Sequence, residues 1–199
     1  MYELIEPKIK HEPARFGYEI LRNCRQELFN DNLSSRELEI LELTSEGLTD
    51  KAIGKRIYLG VETVKSHQKD LYRDIKATNR VHAVRLGIEI GYIGFEPEID
   101  DVVKDSVSKR ESTVLELFSL GFNTDEVASA LGLSPNTIRS HRKHLFDKLE
   151  TRSMTSAVRR AFEVGLFPFP ARGQGVSALR VAALLLNREV DTTPILIAA

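Results

Sequence analysis

Basic, hydroxyl and imidazole side chains recur in one order at two places in this chain. Thr63-Val64-Lys65-Ser66-His67 returns 74 positions later as Thr137-Ile138-Arg139-Ser140-His141. These residue types donate hydrogen bonds to phosphate oxygens and to base edges, and arginine can address guanine O6 and N7 with two bonds at once. Nothing comparable points to a reaction. Cys24 has no cysteine partner, no HxxxH spacing occurs, and no Ser-His-Asp or paired-carboxylate group can be singled out. The Gly173-x-Gly175 pair is too short for a phosphate loop. The chemistry in view is the binding of nucleic acid, with no enzyme activity, no metal and no cofactor.

A helix over each stretch would sort these residues. In the first, Val64, Leu71 and Ile75 fall on one apolar line, leaving Lys65, Lys69, Tyr72 and Lys76 on one flank with Arg73 beyond, and Thr63 and His67 on the other. In the second, Ile138, Leu145 and Leu149 are inward. Arg139, Arg142, Lys143 and Phe146 take the first flank, and Thr137, His141, His144 and Lys148 the second. Tyr72 and Phe146 read as half-buried packing rather than base stackers, and His11 and His82, which have no partner in the pattern, as exposed.

The two stretches sit inside longer units, 33–93 and 107–167, which align without a gap and share Arg36/Arg110, Glu37/Glu111, Gly47/Gly121, Lys69/Lys143 and Arg85/Arg159 among other identities. Agreement over a whole domain length marks an internal duplication. Each unit parses into four helices. Ser34-x-x-Glu37 and Ser108-x-x-Glu111 are capping boxes that open the first helix, and Gly47 and Gly121 close it. A second helix spans about 50–57 and about 124–131. A turn of about three residues, Tyr58-Leu59-Gly60 or Gly132-Leu133-Ser134, then leads into the third, which is the arrangement that presents a helix to a DNA groove. The fourth helix, about 80–91 and about 154–165, carries Val84 and Ile88, or Val158 and Phe162, inward. Small Ala83, Gly87, Ala157 and Ala161 suit a close approach between the two fourth helices, while Arg160 opposite Leu86 makes the surfaces unequal.

With these residues in place, both units resemble the LuxR/FixJ/GerE-type helix-turn-helix domain of bacterial transcription regulators, over about three-fifths of the chain. The first unit carries the resemblance through Arg36-Glu37, Leu41, Gly47, Leu59, Thr63-Val64-Lys65, His67, Arg80 and Ala83. The second does so through Arg110-Glu111, Leu115, Gly121, Leu131, Leu133-Ser134, Thr137-Ile138-Arg139, His141, Lys148-Leu149 and Ala157. The resemblance implies that the third helix enters the major groove, with Lys65, Ser66 and Lys69, and Arg139, Ser140 and Lys143, facing bases. Thr63, His67, Thr137 and His141 would then hold phosphates, and Arg73, Asn136 and Arg142 complete the expected DNA-binding set. Departures are Gly60 in place of a serine cap, Asp74 and Asp125 where lysine is usual, and Met154 in place of the late arginine.

The expected architecture is therefore all-α, with two tandem four-helix units, an acidic linker over 94–106 and accessory helices in an N-terminal arm (1–32) and a C-terminal segment (168–199). The linker holds five acidic residues against one lysine and, fully extended at about 3.4 Å per residue, reaches roughly 40 Å. A formal net charge of -1 places any basic surface in local stripes. No apolar run approaches the roughly 20 residues of a membrane span, and no signal-peptide pattern is present, so a cytoplasmic location is expected. No phosphoacceptor or ligand-sensing pattern precedes the first unit in these residues, which puts control in expression level or in a partner. Expected partners are double-stranded DNA, a second copy of the chain through terminal or fourth helices, and another protein or RNA polymerase. The rival readings are a helix-turn-helix module that sequesters another regulator, and a promoter-recognition protein like sigma region four.

Overall fold

The computed structural model of the protein describes residues 33–95 and 97–168. Its first unit consists of α1 (Ser35–Ser45), α2 (Asp50–Arg56), α3 (Val61–Asp74) and α4 (Arg80–Ile90). A short α5 (Asp101–Ser106) leads into the second, made of α6 (Lys109–Ser119), α7 (Thr124–Leu131), α8 (Pro135–Lys148) and α9 (Met154–Glu163). No strand occurs among the described residues. The N-terminal arm with His11 and Cys24, and residues 169–199 of the C-terminal segment with its expected helix, lie outside them.

Local chemistry starts and stops these helices as the sequence implies. The Ser34 hydroxyl accepts from Glu37 N at 3.2 Å while Ser34 N donates to the Glu37 carboxylate at 2.7 Å, and Ser108 and Glu111 repeat the exchange at 3.3 and 2.9 Å. Gly47 and Gly121 leave α1 and α6 at φ of 87° and 96°, a left-handed turn that favours glycine. A further capping box, Asn123 with Glu126, opens α7. Gly60 leaves the start of α3 without a side-chain cap, whereas Ser134 accepts from Thr137 N at 3.1 Å and Pro135 follows it at the start of α8.

The inward lines of the third helices are buried: Val64, Leu71 and Ile75 at 0, 1 and 9% exposure, and Ile138, Leu145 and Leu149 at 0, 0 and 1%. They enter a core that does not stop at the unit boundary. Leu41, Leu71, Val84 and Ile88 of the first unit belong to the same apolar cluster as Val114, Leu115, Val158 and Phe162 of the second. A smaller cluster of Ile40, Leu43, Ile53, Ile57 and Val64 seats α2 against α3.

The seam through this shared core is reciprocal. Helix α4 packs on α9, and each also lies against the first helix of the other unit, α4 on α6 and α9 on α1. Arg85 of α4 donates to the Ser119 hydroxyl at 2.6 Å, and its counterpart Arg159 of α9 donates to the Ser45 hydroxyl at 2.7 Å. Each serine donates its own proton to a carbonyl in its helix, so its oxygen is free to accept. Arg85 also bonds Glu89 at 2.8 Å and stands 5.6 Å from the Phe167 ring centroid, while Arg159 bonds Glu163 at 3.0 Å and Glu42 at 2.7 Å. A side chain on Gly121 would collide with Thr78, and one on Gly47 with Ser153. The Arg85–Ser119 and Arg159–Ser45 contacts map onto each other when the units are exchanged, which defines a pseudo-twofold axis, the intramolecular equivalent of an isologous dimer interface.

Three expectations change here. His82 is half-buried rather than exposed and partnerless: it accepts from Thr78 N at 3.2 Å and packs beside Gly121, and burial, with Arg85 nearby, pushes its imidazole below the usual range. Gly87 serves its own unit, since a Cβ there would press on Ile93 and Leu41. The acidic stretch is also not a bare tether. It contains α5, and Glu98 N donates to Glu163 O at 2.9 Å and Asp100 N to Val164 O at 3.4 Å, tying it to the end of α9.

Three non-glycine residues among those described, Tyr58, Lys76 and Glu150, hold left-handed φ, and Lys76 and Glu150 are equivalent positions of the two units. Tyr58, in the turn before α3, holds φ of 59° with 94% of its surface exposed, where the second unit has Gly132 at φ of 62°. A left-handed conformation disfavours any side chain with a Cβ. Tyr58→Gly is therefore expected to stabilise the protein by about 1 kcal/mol in denaturant unfolding. Arg85→Ala removes an arginine only 5% exposed and its bonds across the seam; the expected loss is about 3 kcal/mol in a single unfolding transition. Two separate transitions in the parent protein would contradict the shared core.

Candidate nucleic-acid interface

Each third helix reaches the surface along the side opposite its buried line. On α3, Thr63, Lys65, Ser66, Lys69 and Arg73 are exposed and His67 is half-buried; on α8, Asn136, Arg139, Ser140 and Lys143 are exposed, and Thr137 and His141 are half-buried. The structure thus brings the expected donors onto the outer side of each helix, but two of them are engaged by neighbours in ways a helical wheel does not show.

Arg142 is the first. It is half-buried, its guanidinium carbon 5.3 Å from the Phe118 ring centroid and 5.8 Å from that of Phe146, and its Nε is buried without a hydrogen bond. It holds α8 against α6 by cation–π stacking instead of standing exposed beside Arg139. Gln68 occupies the same place in α3 and does the same job by different means: it donates to Asp50 at 3.0 Å, which also receives Arg80, while Arg80 reaches the Leu48 carbonyl. The second unit has Thr124 and Met154 where the first has Asp50 and Arg80, so the polar knot is replaced by an aromatic sandwich.

Arg73 is the second. It is exposed but engaged by Asp70 and Asp74, each at 2.9 Å, and these carboxylates hold its guanidinium above the usual range. Asp74 stands where the second unit has Lys148, whose ammonium donates to Glu111 at 2.7 Å and ties the end of α8 to the start of α6. Lys148 is thereby a clamp rather than a free cation. Half-burial of Tyr72 and Phe146 agrees with packing, and burial pushes the Tyr72 phenol up to about 12.

The basic residues nearest the helix starts carry polar partners. Lys65 Nζ donates to Glu62 Oε1 at 2.8 Å and Arg139 Nη1 to Asn136 Oδ1 at 2.6 Å. Sequence reasoning passed over Glu62; the signal available was its place three residues before Lys65, on the same helical stripe. It also passed over Arg85 and Arg159 as seam residues, although their repetition on the fourth helix was visible.

Two helix-turn-helix units whose third helices face outward with basic and hydroxyl donors define a nucleic-acid-binding class of fold. The chain belongs to the luxR family of bacterial regulatory proteins, whose family model matches it twice, over residues 31–86 and 105–161. The helix-turn-helix domains of this family are DNA-binding regulatory modules, not enzymatic ones. Response regulator protein VraR from Staphylococcus aureus strains Mu3, NCTC 8325 and COL is similar, at 27% identity over 143 residues, or 65% of this chain and 63% of each relative. The aligned region thus spans less than two thirds of those relatives. No solved structure matches the chain significantly. No described helix is long and apolar enough to cross a membrane.

Glu111 supplies a pH test of how α8 is seated. Burial opposes its ionisation, but donors from Lys148 and Ser108 outweigh this and bring its carboxyl down from 4.5 to about 2. A carboxyl lowered on folding stabilises the native state fully above pH 4.5 and loses that contribution as the pH falls through about 2. Glu111→Gln is expected to cost about 2 kcal/mol at neutral pH, a gap that narrows below pH 4.5 and closes by about 2 in thermal unfolding.

Proposed function

We propose that the chain is a sequence-specific double-stranded DNA-binding transcription regulator that places α3 and α8 in the major groove at two inverted half-sites. The reciprocal seam is the observation that carries this reading, because a twofold relation between units matches the twofold relation between strands of a palindrome. One polypeptide then supplies what separate copies would supply by pairing.

In this reading Lys65, Ser66 and Lys69, with Arg139, Ser140 and Lys143, meet base edges. Thr63, His67, Thr137 and His141 lie close enough along the same faces to serve as phosphate or flanking contacts, and Asn136 stands on the stripe of Arg139 and Lys143. Arg73 meets a phosphate by exchanging Asp70 and Asp74 for it, and Arg142 contributes by holding the recognition helix in place. Bound DNA also means that the protein acts in the cytoplasm, with RNA polymerase or another regulator as the partner that converts binding into regulation. The unit boundaries are 33–93 and 107–167, joined over 94–106.

Duplexes selected by the protein from a randomised pool provide the cognate sites. Lys65→Ala and Arg139→Ala are each expected to weaken specific binding by about 1–3 kcal/mol at fixed salt, measured by fluorescence anisotropy, with helical content unchanged by circular dichroism. Equal affinity of both variants and the parent would remove direct readout by these helices. Copurification with a regulator and no salt-sensitive duplex binding would favour the sequestering module instead.

A further inference from the structure

The cations assigned above to base contact, Lys65 and Lys69 or Arg139 and Lys143, are preceded on the same stripe by side chains of different charge in the two units. Glu62 of α3 and Asn136 of α8 lie three residues before Lys65 and Arg139, hence on the stripe that continues through Lys69 and Lys143. The stripe is seen in the contacts: Glu62 accepts from Lys65 at 2.8 Å and Asn136 from Arg139 at 2.6 Å. Both members of the first pair are open to solvent, at 86% for Glu62 and 53% for Lys65, and Asn136 and Arg139 are exposed as well. A group bonded to a base-facing cation and standing on the same stripe faces the bases with it.

The two side chains offer different chemistry there. An ionised carboxylate only accepts, and cytosine N4 is a donor in the major groove. A carboxamide both donates and accepts, matching adenine N6 and N7, while arginine and lysine suit guanine. A carboxylate brought among phosphates is repelled unless a donor meets it. In α3 the Lys65 ammonium meets one oxygen, leaving acceptor capacity for a base.

Resting on the DNA-binding reading above, we propose that Glu62 and Asn136 are specificity-determining residues that give the two units different half-sites. The first unit selects a C·G pair next to the guanine addressed by Lys65, and the second selects an A·T pair next to the guanine addressed by Arg139. The natural operator is then an inverted repeat whose halves disagree at that one base pair.

The test is selection from a randomised duplex pool with the full chain, followed by affinity measurements on the selected duplex and its single-pair variants. The parent is expected to enrich unequal halves and to discriminate at the divergent pair by about tenfold in each half. Glu62→Asn is expected to convert the first half to the adenine preference and make the selected site symmetric. Asn136→Glu is expected to convert the second half to cytosine. Both positions are exposed, and Glu62→Gln provides a second neutral variant, expected to lose the cytosine preference.

If Glu62 serves only to neutralise Lys65, Glu62→Asn and Glu62→Gln will tighten binding to all duplexes alike with no change of preferred base, and the proposal is overturned. Symmetric halves selected by the parent overturn it as well. Both outcomes leave DNA recognition by the two helices standing. Absence of any enriched sequence with the parent removes the DNA reading and this inference together.

Discussion

The placement of the two surface helices relative to each other depends on the seam between α4 and α9. An arginine taken out of water needs compensation for its lost hydration, and Arg85 receives it from the Glu89 carboxylate, the Ser119 hydroxyl and the face of Phe167. Arg159 solves the same problem with Glu163, Glu42 and Ser45. Each solution draws a partner from the other unit, so neither helix bundle completes its core alone. The apolar cluster running through both units states the same fact in hydrophobic terms.

Within this fixed frame the two units have drifted at matching places without losing their geometry. The recognition helix must be held to its own bundle, and the first unit does so with a hydrogen-bonded knot of Gln68, Asp50 and Arg80. The second unit does so with Arg142 over Phe118 and Phe146, and with Lys148 on Glu111. Losing Arg80's counterpart to Met154 is therefore compensated, because the acid it would have met is Thr124. The departures from family pattern in one unit come as connected sets.

Much of the fold was legible because it rests on local rules. The capping boxes at Ser34 and Ser108, the glycines that end α1 and α6, and the inward line of Val64, Leu71 and Ile75 follow from residue types at fixed spacing. The repeated basic and hydroxyl residues fell on an exposed face for the same reason. What escaped were the consequences of tertiary contact, between units and within them. His82 was read as exposed because Gly121, beside which it packs, comes near only when α4 meets α6. Arg142 was read as a surface cation because helical position alone does not show that Phe118 lies beneath it. Gly87 suited a helix crossing by its size, yet its space was already taken by Leu41 and Ile93.

Because the pseudo-twofold interface is closed within one chain, its formation does not depend on dilution. Pairs built from separate copies dissociate as the protein becomes scarce, and their stability carries a concentration term. Here the two halves remain together at any copy number, and the population of paired units rises in direct proportion to the amount of protein made. A cell using this molecule has a linear relation between synthesis and assembled product, where two free copies would give a threshold.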